Sequence, residues 1–81
     1  MIGEVWILSE VTKKTVNYTV VCVNEFAHRK QIPPRAAFFY LYQYQGLKFL
    51  EEFYEVEHTL SIEDALDDLE NICRQNGGKL Q

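Results

Sequence analysis

The chain has 81 residues, of which 47% are hydrophobic and 25% are charged, so it has the makings of a core and is not disordered by composition. Eight Lys and Arg residues against twelve Asp and Glu residues give a formal net charge of −4, which argues against a protein that grips nucleic-acid phosphates over its whole surface. We expect one domain over residues 1–81, and this length excludes a two-domain enzyme.

The first third of the chain supports two interpretations. Val5–Leu8 and Val16–Val23 are rich in β-branched and aromatic residues, which favours strands. However, the hydrophobic residues of the second segment recur at helical spacing, and residues 12–15 contain no Gly, Asn or Asp for a tight hairpin turn. We predict a helix over about 11–29, and we treat residues 1–10 as an N-terminal extension that forms either a strand or a helical turn.

Two further helices are predicted in the middle of the chain. Pro33 and Pro34 suit a first helical turn, because the φ of proline is fixed and its missing N–H is not needed there. The residues after them are apolar nearly all round the helix, which is typical of a helix that is central to a bundle or covered by something else. We predict helices over 34–45 and 47–55, with Gly46 as the hinge between them.

The last helix has the clearest signals. Ser61 is a suitable N-cap, and Asn76–Gly78 supplies a left-handed stop. Between them, apolar residues form one stripe at helical spacing: Ile62, Ala65, Leu66, Leu69, Ile72 and Cys73. We predict a helix over 62–75, followed by a frayed tail at 79–81.

Together these elements predict an all-α fold, a small bundle of about four helices. The expected core consists of apolar residues from all four helices: Val16, Val20, Val23, Phe26, Ala37, Leu41, Leu50, Phe53, Leu66, Leu69 and Ile72. Cys22 and Cys73 lack the paired spacing of a zinc site, so we predict that both are reduced core residues; a disulfide between them is the less favoured alternative.

The sequence shows no signal for export or for membrane insertion. No basic region precedes an apolar stretch at the N-terminus, and no run approaches the ~18 apolar residues that a membrane span requires. We therefore expect a cytoplasmic protein that does not enter a membrane.

Neither histidine has the partners of a catalytic base. His28 lies at the C-terminal end of a predicted helix, where the helix dipole and contact with solvent explain the presence of a histidine without a catalytic role. His58 follows Glu57, but neighbours in sequence point apart on a helix, and no nucleophile or oxyanion donor accompanies them. We find no glycine-rich phosphate loop, calcium loop or zinc motif. We expect a non-enzyme without cofactor or metal, in which His58 bonds backbone groups where the chain turns into the last helix.

Charge is distributed unevenly along the chain. Residues 51–70 contain nine acids and no Lys or Arg, whereas residues 13–35 contain five bases and one acid, Glu25. Acids on the outside of an amphipathic helix usually form a solvated face. The alternative is a surface that steers a basic partner.

Aromatic residues are concentrated in the middle of the chain. Eight of them lie within residues 38–54, and a helix cannot turn all of them toward one small core. Some of them are therefore exposed to solvent without a function, or they are covered by a partner. Aromatic side chains grouped with an arginine have the composition of an interaction hot spot. The candidate partner-binding residues are Arg35, Phe38, Tyr40, Tyr42, Tyr44, Glu51, Glu55, Asp67 and Asp68.

Other partners are alternatives to a protein ligand. A domain this small has a thin stability margin, which a second copy of the chain commonly supplements. The basic residues within 13–35 offer a patch for a small nucleic-acid-binding regulator: Lys13, Lys14, Arg29, Lys30 and Arg35. We consider nucleic acid the weaker alternative, because the acids after the aromatic stretch would repel phosphates.

Two segments carry a family resemblance. Tyr18–Ala27 is an aromatic- and cysteine-containing helix, and Tyr54-Glu55-Val56-Glu57-His58-Thr59 precedes the acidic last helix. This pattern resembles a family of short, uncharacterised bacterial domains whose members carry a Tyr-x-x-x-His-Thr stretch, here Tyr54, His58 and Thr59. The resemblance covers about residues 16–73, and the chain departs from it at Met1–Thr15 and at Ala65-Leu66.

The resemblance implies a function that the residues alone do not. Members of that family look all-helical and are commonly encoded beside proteins that resemble ADP-ribosyltransferases. It therefore implies a non-catalytic protein-interaction module, an antitoxin-like or accessory partner of an ADP-ribosyltransferase-like toxin, with Tyr54, His58 and Thr59 as a structural motif.

Overall fold

The computed structural model describes the backbone of residues 2–79 and the side chains of residues 13–79. Within these residues the chain forms five helices and no strand: α1 (Ile2–Lys30), α2 (Pro34–Gln43), α3 (Gly46–Glu52), α4 (Tyr54–Glu57) and α5 (Ile62–Gln75). The predicted all-α fold is confirmed. None of the helices in the described part of the chain is long and apolar enough to cross a membrane.

Helix α1 is longer than the sequence predicts. It is helical from Ile2 rather than from residue 11, so the backbone of residues 2–10 continues the helix instead of forming a strand. It ends where Gln31 adopts a left-handed φ of 56° and the Ile32 N–H donates to the Ala27 carbonyl at 3.0 Å. Pro33 then prevents the helix from continuing. The prediction for Met1 lies outside the described residues.

The core lies between the C-terminal half of α1 and helices α2, α3 and α5. Its buried members are Cys22, Val23, Phe26, Ala27, Ala37, Leu41, Leu50, Leu66, Leu69 and Cys73. Both cysteines are buried and free, so the prediction of reduced core residues is confirmed and the disulfide alternative is wrong. Burial raises the pKa of Cys22 and raises that of Cys73 to about 11, which keeps both thiols protonated and unreactive at neutral pH.

Three residues predicted to be in the core are instead about half exposed. Val16 and Val20 are each 51% exposed and Phe53 is 50% exposed. The helical spacing of the valines predicts a buried stripe on α1, but Val16 and Val20 border an open groove beside α2 and α3, which leaves them partly exposed. Phe53 caps the C-terminus of α3, and its ring packs on the Phe49 ring at 5.2 Å at the edge of the fold. Ile72 is only half-buried.

The turn between α2 and α3 depends on two adjacent residues. Gln45 takes the left-handed conformation, with φ 73°, while Gly46 is buried at the start of α3. A Cβ on Gly46 would lie 2.9 Å from Leu41 Cδ2 and 3.2 Å from the Sγ of Cys73. The turn lies where the sequence predicts it. Gly46 is required because of close packing, whereas the left-handed φ belongs to Gln45.

The predicted helix 47–55 is two helices in the structure. Helix α3 ends at Glu52 and α4 begins at Tyr54, because Phe53 leaves the helical region with φ −113° and ψ 23°. This break turns α4 so that Tyr54 packs edge-on against Tyr18 of α1, with ring centroids 5.5 Å apart.

Helix α5 begins and ends where its capping residues predict. The Asp64 N–H donates to Ser61 Oγ at 3.1 Å, which caps the N-terminus. At the other end Gly77 has a φ of 91°, and the Gly78 N–H donates to the Cys73 carbonyl at 2.8 Å. Lys79 follows the helix without regular structure, and the rest of the predicted frayed tail lies outside the described residues.

Substitutions at the α2–α3 turn separate these two requirements. We expect Gly46→Ala to lower the free energy of unfolding by about 1–3 kcal/mol, because the added methyl overpacks the core. Gln45→Gly relieves the left-handed backbone and is expected to change stability by less than about 1 kcal/mol. Urea unfolding followed by circular dichroism measures both, and equal effects of the two substitutions would contradict this assignment.

Candidate interaction surface

Three aromatic side chains of α2 form an exposed group, here called the outer aromatic cluster: Phe38, Phe39 and Tyr42. Their exposed fractions are 45%, 59% and 67%. The Phe38 ring lies parallel to the Tyr42 ring, with centroids 6.5 Å apart, and edge-on to the Phe39 ring at 6.0 Å. The cluster is therefore a contiguous apolar surface and not three isolated side chains.

The rest of α2 explains why these rings remain outside. Ala37 and Leu41 are four residues apart on one face and are fully buried in the core. Phe38 and Tyr42 have the same spacing one position later, so they lie about 100° further round the helix. One core-facing stripe cannot include both pairs, which leaves the second pair exposed.

Two other tyrosines predicted to bind a partner lie on the inner side of α2. The Tyr40 ring stacks on Phe26 at 5.7 Å and contacts the Tyr44 ring at 5.1 Å. The Tyr44 ring packs against Gly78 so closely that a Cβ added to Gly78 would lie 2.7 Å from the ring. Burial raises the pKa of Tyr40. Both side chains are half-buried and pack on this protein's own core.

A groove of about 810 Å³ runs beside the outer aromatic cluster, between α1 and the α2–α3 turn, and is here called the α1–α2 groove. Val16 and Val20 form its α1 side, and Phe38 and Tyr42 form its α2 side. The other lining residues are mostly polar and uncharged, with one Lys and one Glu: Thr15, Thr19, Val23, Asn24, Gln43, Gln45, Leu47, Lys48 and Glu51.

The four acids predicted to bind a partner lie on three helices. Glu51, on α3, lines the α1–α2 groove, and Glu55 is exposed on α4. On α5, Asp67 accepts a hydrogen bond from Arg29 at 2.8 Å, and Asp68 is half-buried. Only Glu51 therefore adjoins the outer aromatic cluster. Arg35 is exposed in the first turn of α2, one turn before that cluster.

The end of α1 is tied to α5 by a group of ion pairs. The Arg29 guanidinium binds Asp67 and Glu70, each at 2.8 Å, and Lys30 binds Glu70 at 3.0 Å. Burial alone would raise the pKa of Glu70, but the hydrogen bonds from Arg29 and Lys30 outweigh it and lower that pKa. Two of the five bases proposed as a nucleic-acid patch are thus engaged with acids of the same chain.

Glu57 is a buried acid within the acidic stretch that the sequence predicts to form a solvated face. It is 4% exposed, and its Oε1 has no hydrogen-bond partner. The Tyr18 hydroxyl donates to the Glu57 backbone carbonyl at 2.9 Å, which holds α4 against α1. The sequence contains one signal for this burial: Glu57 follows Tyr54 by three residues, so the two share a helix face. In the structure, Tyr54 packs on α1.

Burial also changes the proton affinity of this acid. Desolvation, a hydrogen bond with Asp68 and the negative charge of Asp68 together raise the pKa of Glu57 to about 7, and desolvation is the largest of the three causes. The two carboxyl groups can share a hydrogen bond only while one of them carries the proton. Burial beside Asp68 therefore favours the protonated form of Glu57.

His58 and Thr59 close the short helix α4. The Nδ1–H of His58 donates to the Tyr54 carbonyl at 2.7 Å, and the His58 ring stacks on the Tyr54 ring at 4.5 Å. The Thr59 hydroxyl donates to the Val56 carbonyl at 2.7 Å. These contacts fix the corner before α5. Among the described residues, no three His, Cys, Asp or Glu side chains are grouped so that they could hold a metal ion.

Comparison with known proteins gives one match. A family model described as a protein of unknown function (DUF3791) matches residues 17–76. The match begins in the second half of α1 and extends through α5, and so contains every helix that forms the core. No curated protein and no solved structure matches the chain.

The raised pKa of Glu57 predicts a pH dependence of stability. The folded-state pKa, about 7, lies above the ordinary value of 4.5, so the fold favours the protonated acid. Its stabilising contribution is complete below about pH 4.5 and is lost as pH rises through about 7. Glu57→Gln keeps this side chain neutral throughout. Between pH 5 and pH 8 we expect the free energy of unfolding of the native chain to fall by about 1–3 kcal/mol relative to the variant.

Glu55→Gln is the matched control for this measurement, since Glu55 is exposed on the same helix. Urea unfolding at several pH values should give parallel profiles for Glu55→Gln and the native chain. If the Glu57→Gln profile is parallel to them as well, Glu57 does not titrate as described.

Proposed function

The chain belongs to the DUF3791 family, and we propose that it is a non-catalytic protein-interaction module. The observation that carries the proposal is the outer aromatic cluster, in which Phe38, Phe39 and Tyr42 remain 45–67% exposed beside an apolar groove. Large exposed apolar patches on small proteins commonly mark interaction sites, and aromatic side chains dominate the binding energy of such sites.

The chemistry around the cluster supports a protein partner. Apart from Arg35 in its first turn, α2 has no charged residue, so little charge has to be desolvated when a partner covers the cluster. Arg35 at one end and Glu51 beside the groove offer ionic contacts at the rim, where such contacts give orientation more than affinity. This is the usual arrangement of an apolar centre with a polar rim.

The nature of the partner comes from the resemblance described above. We propose that it is an ADP-ribosyltransferase-like protein encoded beside this chain, which the chain neutralises as an antitoxin or positions as an accessory subunit. A non-catalytic role agrees with the contacts of His58, whose ring stacks on Tyr54 and bonds a backbone carbonyl. The nucleic-acid alternative has less support, because Arg29 and Lys30 already bind Asp67 and Glu70.

Co-expression with the neighbouring ADP-ribosyltransferase-like protein tests this proposal. We expect the two chains to purify as a complex and the chain to relieve growth inhibition by the toxin. Phe39→Asp should weaken the complex about tenfold or more, because it places a charge at the centre of the contact. Phe53→Asp is the matched control, since Phe53 is 50% exposed but lies outside α2.

The outcomes separate the parts of the proposal. If neither a complex nor protection is observed, the toxin-partner role is removed. If Phe39→Asp binds as tightly as Phe53→Asp, the partner uses another surface. Binding to DNA at low salt that falls steeply as salt rises would favour the nucleic-acid alternative instead.

A further inference from the structure

Among its described side chains, α1 is covered less by the rest of the fold over residues 13–21 than over residues 22–27. A helix of 29 residues is about 43 Å long, which nearly spans the longest dimension of the molecule, 46 Å, while the other two dimensions are 22 and 21 Å. Among the described side chains of α1, every core residue lies at Cys22 or later, and Tyr18 is the only earlier hydrophobic one that packs against the core. None of the described side chains over residues 13–17 is buried.

An uncovered helical segment of this kind needs something to pack against. Isolated helices of about 12–15 residues are marginal in water, and most helical stability in proteins comes from packing an apolar face. On this segment Val16 and Val20 lie four residues apart on one face, each 51% exposed. Both line the α1–α2 groove, so the uncovered face and the groove are parts of one surface.

We infer that a second copy of this chain covers that surface, with the α1 helices of the two copies side by side at the α1–α2 groove. Helix α1 supplies both one wall of the groove and a partly exposed apolar face. In a two-fold pair, the α1 face of each copy can cover the groove of the other, so the same contact occurs twice. The lining favours association of identical chains, because only Lys48 and Glu51 among its residues are charged. Little like-charge repulsion arises when two such surfaces meet.

Charge complementarity fixes the relative direction of the two helices. Lys13 precedes Val16 by three residues and shares its side of α1. Glu51 lies toward the Thr15 end of the groove, because Tyr54, one turn later, packs on Tyr18, whereas Tyr40 packs on Phe26 at the other end. A parallel pair therefore brings Lys13 of one copy toward Glu51 of the other, and an antiparallel pair separates them.

The inference stands independently of the toxin partner. Phe38 and Tyr42 belong to both the groove and the outer aromatic cluster, so a partner that binds the cluster would compete with pairing. The experiments below contain only this chain. Their results, therefore, do not change with the outcome of the co-expression experiment.

Sedimentation equilibrium of the purified chain tests the pairing. We expect a reversible dimer over a concentration range of about 5–500 µM. Val20→Asp should weaken dimerisation about 100-fold or more, because it buries an unpaired charge in the contact. Val21→Asp is the matched control: Val21 is 46% exposed on another face of α1 and does not line the groove. It should leave the dissociation constant unchanged, and circular dichroism checks that both variants stay helical.

Charge exchange tests the direction of the helices. Lys13→Glu and Glu51→Lys should each weaken the dimer about two- to tenfold, and the double variant should restore it. Failure of this rescue overturns the parallel arrangement. A native chain that is monomeric over the whole concentration range overturns the pairing, as does a dimer that Val20→Asp and Val21→Asp affect equally.

Discussion

The C-terminal half of α1 is the surface on which the rest of the fold is built. Helices α2, α3 and α5 all contact α1, and Phe26, the largest fully buried side chain among the described residues, belongs to it. Each of the other helices is short, so each contributes only a few side chains to the core. These helices bury the face of α1 around Cys22 and Phe26, and they leave Val16 and Val20 partly exposed beside the α1–α2 groove.

Polar contacts complete this packing at two different places. Arg29 and Lys30 join the end of α1 to Glu70 of α5, in partly exposed positions where ion pairs orient helices more than they stabilise them. At the other end of the core, the Tyr18 hydroxyl and the buried Glu57 join α1 to α4. Burying Glu57 beside Asp68 costs free energy whenever both are ionised. The raised pKa of Glu57 therefore makes the packing of α4 beside Asp68 of α5 sensitive to pH.

The ends of α5 and the position of the α2–α3 turn could be predicted from the sequence, because each depends on a few neighbouring residues. The bounds of α5 follow from Ser61 and the glycines after it, and the turn near Gly46 follows from a residue without a side chain. The exposure of Val16 and Val20 could not be predicted in this way, because it depends on how closely α2 and α3 approach that face of α1. Glu57 was missed for a related reason: a run of acids indicates a solvated face only when the backbone does not turn one of them inward.

The surplus of aromatic residues has a specific structural origin. Helix α2 packs a narrow stripe of Ala37 and Leu41 into the core, and Tyr40 and Tyr44 flank that stripe on the inner side. Phe38, Phe39 and Tyr42 lie outside that stripe and pack on one another. Their exposure supports the proposal that another surface covers them. Val16 and Val20 lie across the α1–α2 groove from Phe38 and Tyr42, so the partly exposed apolar side chains on its two sides support the proposed association.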